Sequence, residues 1–175
     1  DRCPSEFSAP YSHDKDKEHV EPGLYSVKLL DSGIDVELTA TSRCGMHRYT
    51  YPEGKSRQIF LDMKHGGRGS CTIIPEDDWD TVRTARIELV DDRTIRGYRI
   101  SNGWVPEMHV YFYAELSEPI KDYKIYVNRA PQANIKSAEG CDIRALLSFG
   151  KGEGKIVAKG LRGEDVKKVL AEHIK

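Results

Sequence analysis

Apolar and polar residues alternate with a period of two along much of this chain. The clearest case is the segment 34–41, where one side of an extended strand would carry Ile34, Val36, Leu38 and Ala40. Such alternation predicts a β-strand with one buried face. A second alternating run precedes it, and Asp31-Ser32-Gly33 between the two has the composition of a tight turn. Residues 24–41 are therefore predicted to form a β-hairpin.

Further short strands are predicted at 48–51, 59–63, 85–90, 94–100, 108–115, 123–127, 143–148 and 155–159. Turn-forming residues separate them, notably Pro52-Glu53-Gly54 and Asp91-Asp92-Arg93. In the strand 108–115, Val110 and Phe112 are expected to point inward. Many short strands joined by turns favour an antiparallel β-sandwich over alternating βαβ units. The predicted fold class is mainly β.

The C-terminus breaks the pattern. From Gly163 onward, Val166, Val169, Leu170 and Ile174 share one face at helical spacing, with acidic residues near the start. A C-terminal helix is therefore predicted. The first 23 residues are polar and charge-dense, and they are expected to be irregular, as is the loop 64–70.

Composition narrows the choice of partners. Lys and Arg total 27 against 28 Asp and Glu, so no basic excess indicates a nucleic-acid partner. No apolar run is long enough to predict a membrane span. The cysteines Cys3, Cys44, Cys71 and Cys141 lack the spacing of a zinc site. A disulfide such as Cys44–Cys71 stays open, because spacing alone does not decide it.

Two clusters of polar residues are candidate sites. The loop 12–18 contains His13, Asp14 and Lys15, but it lacks the glycine and the bidentate glutamate of an EF-hand. His47 and Arg48 lie on a predicted strand, where such residues usually make structural contacts. We interpret all five as structural or domain-interface polar residues, and no metal ligand is assigned.

Trp104 lies in a Gly- and Pro-bounded loop between two predicted strands. An aromatic ring exposed on a loop is suited to packing against the apolar face of a sugar ring. Trp104 is therefore the predicted substrate-binding residue, with a core tryptophan as the alternative. Trp79, in an acidic turn, is the weaker candidate.

Motifs of known catalytic machinery are absent from the sequence. It contains no GxSxG nucleophile motif, no phosphate-binding loop and no HExxH zinc motif. Residue pattern alone predicts a mainly β domain and leaves the function open.

The order of several short motifs resembles glycoside hydrolase family 92. The run Ser8-Ala9-Pro10-Tyr11-Ser12-His13-Asp14-Lys15 is similar to a hallmark phrase of that family, and Pro22-Gly23-Leu24-Tyr25-Ser26-Val27 follows it closely, as it does there. The similarity continues in order through His47-Arg48-Tyr49-Thr50, Ile95-Arg96-Gly97-Tyr98-Arg99 and Gly103-Trp104. It extends over roughly residues 5–160.

The resemblance implies an exo-α-mannosidase that inverts the anomeric carbon, depends on calcium and acts on α-mannoside glycans, with α-1,2 linkages expected. It further implies a galactose mutarotase-like sandwich that docks on a helical catalytic domain, in a bacterial protein that is periplasmic or secreted. In this family the catalytic acid, the base and most calcium ligands lie in the helical domain. No catalytic residue is therefore carried over to this chain, and calcium is expected to be bound outside it.

The expected organisation follows from that resemblance. Residues 1–160 would form part of the N-terminal sandwich, and residues 161–175 would form a helix leading toward the helical domain. This chain alone is expected to be non-catalytic, shaping the substrate rim and docking the catalytic domain. A free-standing carbohydrate-binding module is the alternative, and a complete enzyme with an unrecognised site is a third possibility.

Overall fold

The computed structural model describes residues 15–41, 44–64, 81–103, 105–152 and 154–160. They begin with a 3₁₀ turn, Lys15–Lys17, and continue as strands that pair antiparallel throughout. The strands are β1 His19–Glu21, β2 Leu24–Lys28, β3 Asp35–Ala40, β4 Gly45–Tyr51, β5 Ser56–Asp62, β6 Val82–Leu89, β7 Thr94–Ser101, β8 Met108–Leu116, β9 Asp122–Val127, β10 Ala130–Gln132, β11 Ser137–Gly140, β12 Ile143–Lys151 and β13 Gly154–Gly160. The predicted mainly β, antiparallel fold is confirmed.

Two sheets of unequal width form the layers. Within the described residues, the large sheet has nine strands in the order β1-β2-β3-β4-β13-β8-β7-β6-β11. The small sheet has four strands, β10-β9-β12-β5. We call the side of the large sheet that carries the core residues its inner face, and the opposite side its outer face.

The core lies between the two sheets, and strand β12 is at its centre. Ile143, Ala145, Leu147 and Phe149 alternate along β12 and are completely buried. They pack with inner-face residues of the large sheet, among them Ile87, Leu89, Ile95, Leu116 and Ile156. The burial of these alternating apolar residues is the main stabilising term of the fold.

Local turn chemistry produced the hairpins that the sequence predicts. Residues 24–41 form the predicted β2–β3 hairpin, and Gly33 adopts a φ of 74° in its turn. In the β6–β7 hairpin, the Asp91 carboxylate accepts a hydrogen bond from the backbone N–H of Arg93 at 2.8 Å. That hydrogen bond lowers the pKa of Asp91, because it favours the charged carboxylate. Both predicted hairpins are confirmed.

The segment around Pro52-Glu53-Gly54 connects the two sheets. Strand β4 belongs to the large sheet and β5 to the small one, so the chain crosses between layers here. The Tyr51 hydroxyl donates a hydrogen bond to the carbonyl of Gln58 at 2.6 Å and ties the two strands together. Pattern alone does not distinguish this crossing from a hairpin.

Three short strands were missed. The first 23 residues were expected to be irregular, yet His19–Glu21 forms β1 by pairing with β2. Strand β10 follows a two-residue turn in which Asn128 and Arg129 both have positive φ, and β11 pairs with β6. These strands have three or four residues, which is too short for alternation to be visible.

Val110 is more exposed than the sequence predicts. It lies on the inner face, as its spacing from Phe112 predicts, but it is 50% exposed. Among the described residues, β13 pairs with β8 over Ala114–Leu116, and the start of β8 lies beyond these pairs. Of the two residues expected to point inward, only Phe112 packs against the core.

The remaining expectations concern thiols and the C-terminus. Cys44 and Cys141 are free thiols, Cys44 half-buried and Cys141 exposed, so the Cys44–Cys71 disulfide does not form. The predicted helix within 161–175, and the loop 65–70, lie outside the described residues. No described segment forms a helix with the length and hydropathy needed to cross a bilayer.

The outer face of the large sheet contains one deeply buried tyrosine. Tyr98 of β7 is only 3% exposed, because Tyr111 of β8 and Arg86 of β6 flank it in register. Burial raises the pKa of Tyr98 to about 12, and a hydrogen bond with Glu139 adds to the rise. A network of Arg96, Arg86 and Glu88 lies beside it, with Arg96 in two 3.1 Å hydrogen bonds to the Glu88 carboxylate.

The close packing at Gly97 gives a first prediction. A β-carbon at Gly97 would lie 2.1 Å from the carbonyl oxygen of Arg86 and 2.7 Å from the Phe112 ring. We expect Gly97→Ala to lower the free energy of unfolding by at least about 2 kcal/mol. Gly45→Ala is the matched control, because a β-carbon there meets nothing within 4 Å. Urea unfolding measures both, and similar effects of the two substitutions would contradict the packing described here.

Tyr98 gives a second prediction. Its pKa is near 10 in an unfolded chain and about 12 in the folded one, so the neutral form is favoured by folding. The stability it contributes is complete below pH 10 and is lost as the pH rises toward 12. Between pH 9 and pH 11.5, the free energy of unfolding should therefore fall less in the Tyr98→Phe variant than in the parent chain. Urea unfolding of both proteins at both pH values measures this difference. An equal loss in both proteins would show that Tyr98 does not cause this dependence.

Candidate functional site

The residues proposed from sequence are dispersed in the structure. His47 and Arg48 are neighbours in β4, so their side chains point to opposite faces of the large sheet. His47 is exposed on the inner face, with its Nδ1 2.8 Å from the Tyr49 hydroxyl. Arg48 lies on the outer face and forms a two-pronged ion pair with Glu37. The two residues therefore do not form one site.

Two side chains of β4, Tyr49 beside His47 on the inner face and Arg48 on the outer face, have raised pKa values for different reasons. The pKa of Tyr49 is raised because its ring is partly buried beside the core. The pKa of Arg48 is raised because the Glu37 carboxylate hydrogen-bonds to its guanidinium and stabilises the charge. Arg48 is thus held in register with β3 by its partner across the strands.

The other proposed residues lie mostly outside the described part of the chain. Lys15 begins the 3₁₀ turn Lys15–Lys17. His13, Asp14, Trp79 and the predicted sugar contact Trp104 are outside the described residues. Their roles stay predictions.

The ends of the loop that contains position 104 are well defined. The Asn102 side chain accepts a hydrogen bond from the Thr81 N–H at 2.7 Å, and the Asn102 N–H donates back to the Thr81 carbonyl at 3.2 Å. The Gly103 N–H donates to the carbonyl of Val105 at 3.0 Å. These bonds fix the connection from β7 to β8 against the start of β6.

The outer face of β8 beside this loop contains a pair of aromatic rings. His109 and Tyr111 are two residues apart, so both point outward, and their ring centres are 6.2 Å apart with an angle of 25° between the planes. His109 Nδ1 is 3.2 Å from the Tyr111 hydroxyl, and its Nε2 is 3.2 Å from the Glu107 carboxylate. Tyr111 in turn contacts the buried Tyr98, with ring centres 5.9 Å apart.

The inner side of the same region is apolar. Met108 and Val110 of β8 are 37% and 50% exposed, and Val105 in the preceding loop is 47% exposed. Met108 and Val110 continue the row of Phe112, Ala114 and Leu116, which reaches the core. The start of β8 therefore presents aromatic and polar groups on one face and exposed apolar groups on the other.

Sequence reasoning did not select His109 and Tyr111. It treated them as the solvent face of a predicted strand. The signal that would have found them is the repetition of ring-bearing residues at His109, Tyr111 and Tyr113, two apart on that face. Ring geometry cannot be read from spacing, so only the structure shows that two of them pair.

The described residues offer groups suited to binding a ligand. Among them, no group of three or more His, Cys, Asp or Glu residues is arranged to hold a metal ion. Glu107, His109 and Tyr111 offer hydrogen-bonding groups beside two rings, which suits recognition of a polar ligand with an apolar face.

Comparison with solved structures places this fold among α-mannosidases. The family GH92 α-mannosidase BT3965 of Bacteroides thetaiotaomicron is 30% identical to this chain, with a TM-score of 0.74 over 86% of this chain and 20% of that one. A second structure of BT3965 contains mannoimidazole. This chain thus spans about a fifth of the length of that enzyme.

More distant relatives share the fold. The inverting mannosidase BT2199 of Bacteroides thetaiotaomicron is 22% identical, with a TM-score of 0.66 over 86% of this chain and 19% of that one. The family GH92 glycosyl hydrolase ccman5 is 19% identical, with a TM-score of 0.73 over 91% of this chain and 21% of that one. No curated protein sequence matches significantly.

The family assignment comes from the sequence match to a domain family. The family model of the glycosyl hydrolase family 92 N-terminal domain matches residues 2–159, which is most of the chain. The resemblance that the ordered motifs indicate is thereby confirmed. The chain belongs to glycosyl hydrolase family 92, and its matched residues belong to the N-terminal domain of that family.

Proposed function

We propose that this chain is the sandwich portion of a calcium-dependent, inverting exo-α-mannosidase that acts on α-1,2-linked mannoside glycans. The observation that carries the proposal is the match to the family 92 N-terminal domain over residues 2–159. The 30% identity to BT3965, which is an α-mannosidase, supports the same substrate class. A periplasmic or secreted location is part of the proposal and rests on the family resemblance.

Catalysis is proposed to reside elsewhere in the parent protein. Inversion requires two carboxyl groups about 6.5–9.5 Å apart on opposite sides of the sugar, with room for a water molecule. This chain spans only 20% of BT3965, so most of a comparable enzyme lies beyond it. We assign the acid, the base and the calcium ligands to a helical catalytic domain. No step of the reaction is assigned to residues described here.

The role proposed for this chain is to shape the substrate rim and to dock the catalytic domain. Trp104 is the proposed rim residue. His13, Asp14 and Lys15, together with His47 and Arg48, are proposed as structural or interface contacts. The exposed apolar residues at the start of β8 support docking, since core-side residues of a strand are normally covered.

A free-standing carbohydrate-binding module is the second candidate. The specific observation in its favour is the His109–Tyr111 ring pair on the outer face of β8. The two candidates differ in whether a catalytic domain is needed for function.

Because catalysis is proposed to reside in a helical domain, we expect this chain alone to be inactive. With purified chain and α-1,2-linked mannobiose, we expect no mannose release with either calcium or a chelator, because the catalytic carboxyl pair is proposed to lie in the helical domain. Mannose release is measured by anion-exchange chromatography of the products. Calcium-dependent release by the chain alone would contradict the proposal that the catalytic groups lie outside it.

Docking predicts a substitution effect that depends on the rest of the protein. In the longer protein, Val110→Asp should reduce the free energy of unfolding by at least about 2 kcal/mol, because a charge would be placed in a covered apolar contact. In the isolated chain the same change should cost less, since Val110 is half exposed there.

Val90→Asp is the control for this test. Val90 is 42% exposed and follows β6 at the turn before β7, away from the start of β8. Thermal unfolding of both variants in both proteins gives the comparison. Equal effects of Val110→Asp in the longer protein and the isolated chain would rule out docking through this surface.

A further inference from the structure

The outer face at the start of β8 carries two neighbouring rings at the protein surface. His109 is exposed and Tyr111 is partly exposed, yet their rings are nearly parallel and share a hydrogen bond. Glu107 contacts the other ring nitrogen of His109. With the proton on Nε2, neutral His109 donates to Glu107 and accepts from the Tyr111 hydroxyl.

This contact chain orients the rings before any ligand arrives. Holding an exposed side chain in one rotamer costs conformational entropy, which isolated surface residues do not usually pay. Here Glu107, His109 and Tyr111 fix one another, and Tyr111 also packs against the buried Tyr98. A pre-oriented surface loses less entropy when a ligand binds to it.

The charges around the rings indicate the class of ligand. Arg96 is paired with Glu88, and Arg86 is paired with Glu88 and Glu139, so these two cations of the outer face already have carboxylate partners. An anionic ligand would have to compete with those pairs. A neutral ligand with an apolar face and several hydroxyl groups fits better, because the rings offer packing while the Glu107 carboxylate and the Tyr111 hydroxyl offer hydrogen bonds.

We propose that Glu107, His109 and Tyr111 form a binding site for a pyranose unit of a mannoside glycan. The identity of the sugar rests on the proposed function, whereas the site itself rests on the geometry of these three side chains. The pyranose ring packs against the His109 and Tyr111 rings, and its hydroxyl groups bond to the Glu107 carboxylate and the oxygen of the Tyr111 hydroxyl.

The test is a titration of the chain with α-1,2-linked mannobiose and a longer α-mannose oligosaccharide, followed by NMR of backbone amides. We expect shifts concentrated in residues 107–113 and saturable binding. Tyr111→Ala and His109→Ala should each weaken binding by about tenfold. Tyr111→Phe keeps the ring but removes its hydrogen bond to His109, so it should weaken binding less than Tyr111→Ala.

His19→Ala is the matched control. His19 of β1 also lies on the outer face beside a glutamate, with its Nε2 3.6 Å from Glu21, but Tyr25 and the other rings nearest in register point to the inner face. Binding should be unchanged in this variant. Absence of saturable binding, or equal affinity in all four variants, would overturn the proposal.

A hydrolysis assay distinguishes failure of the proposed sugar site from failure of the proposed α-mannosidase function. Mannose release by the longer protein tests the α-mannosidase assignment without reference to this site. Retained hydrolysis with no sugar binding at residues 107–113 would reject the site alone. If Tyr111→Ala fails to fold, as circular dichroism would show, the exposed His109→Ala variant decides the outcome.

Discussion

The structure depends on the packing of one strand of the small sheet against the inner face of the large one. Ile143, Ala145, Leu147 and Phe149 of β12 have no measurable exposure, and each lies on the same side of its strand. Strand β12 is hydrogen-bonded on both edges, to β9 and to β5, so both neighbours fix its register. A one-residue slip would turn this row outward and remove the core.

The unequal width of the layers explains where functional surfaces can lie. Within the described residues, four strands cannot cover the inner face of nine. Val20 on β1 and Val110 on β8 are the consequence, since both occupy core-side positions and are exposed. The same strand end carries the His109–Tyr111 ring pair on its other side. One short region thus joins an apolar surface suited to a protein contact with a polar aromatic surface suited to a sugar.

Features that depend on neighbouring residues could be predicted from the sequence, whereas features that depend on distant residues could not. The β2–β3 and β6–β7 hairpins followed from alternation and turn residues, which act over a few positions. The crossing of β4 to β5 between sheets was not predictable, because it depends on which distant strands pair. Tyr98 shows the same limit: its spacing places it on a solvent face, yet flanking side chains bury it. Among the site residues, alternation separates His47 from Arg48, whereas the pairing of His109 with Tyr111 needed coordinates.

The proposed function assigns this chain to an inverting α-mannosidase. The most direct measurement is proton NMR of α-1,2-linked mannobiose during hydrolysis by the longer protein, observing the anomeric protons at early times. We expect β-mannose to appear first and to convert to the α anomer by mutarotation, because inversion at an α-linked carbon yields the β anomer. Early accumulation of α-mannose, or no hydrolysis of the α-mannoside at all, would contradict it.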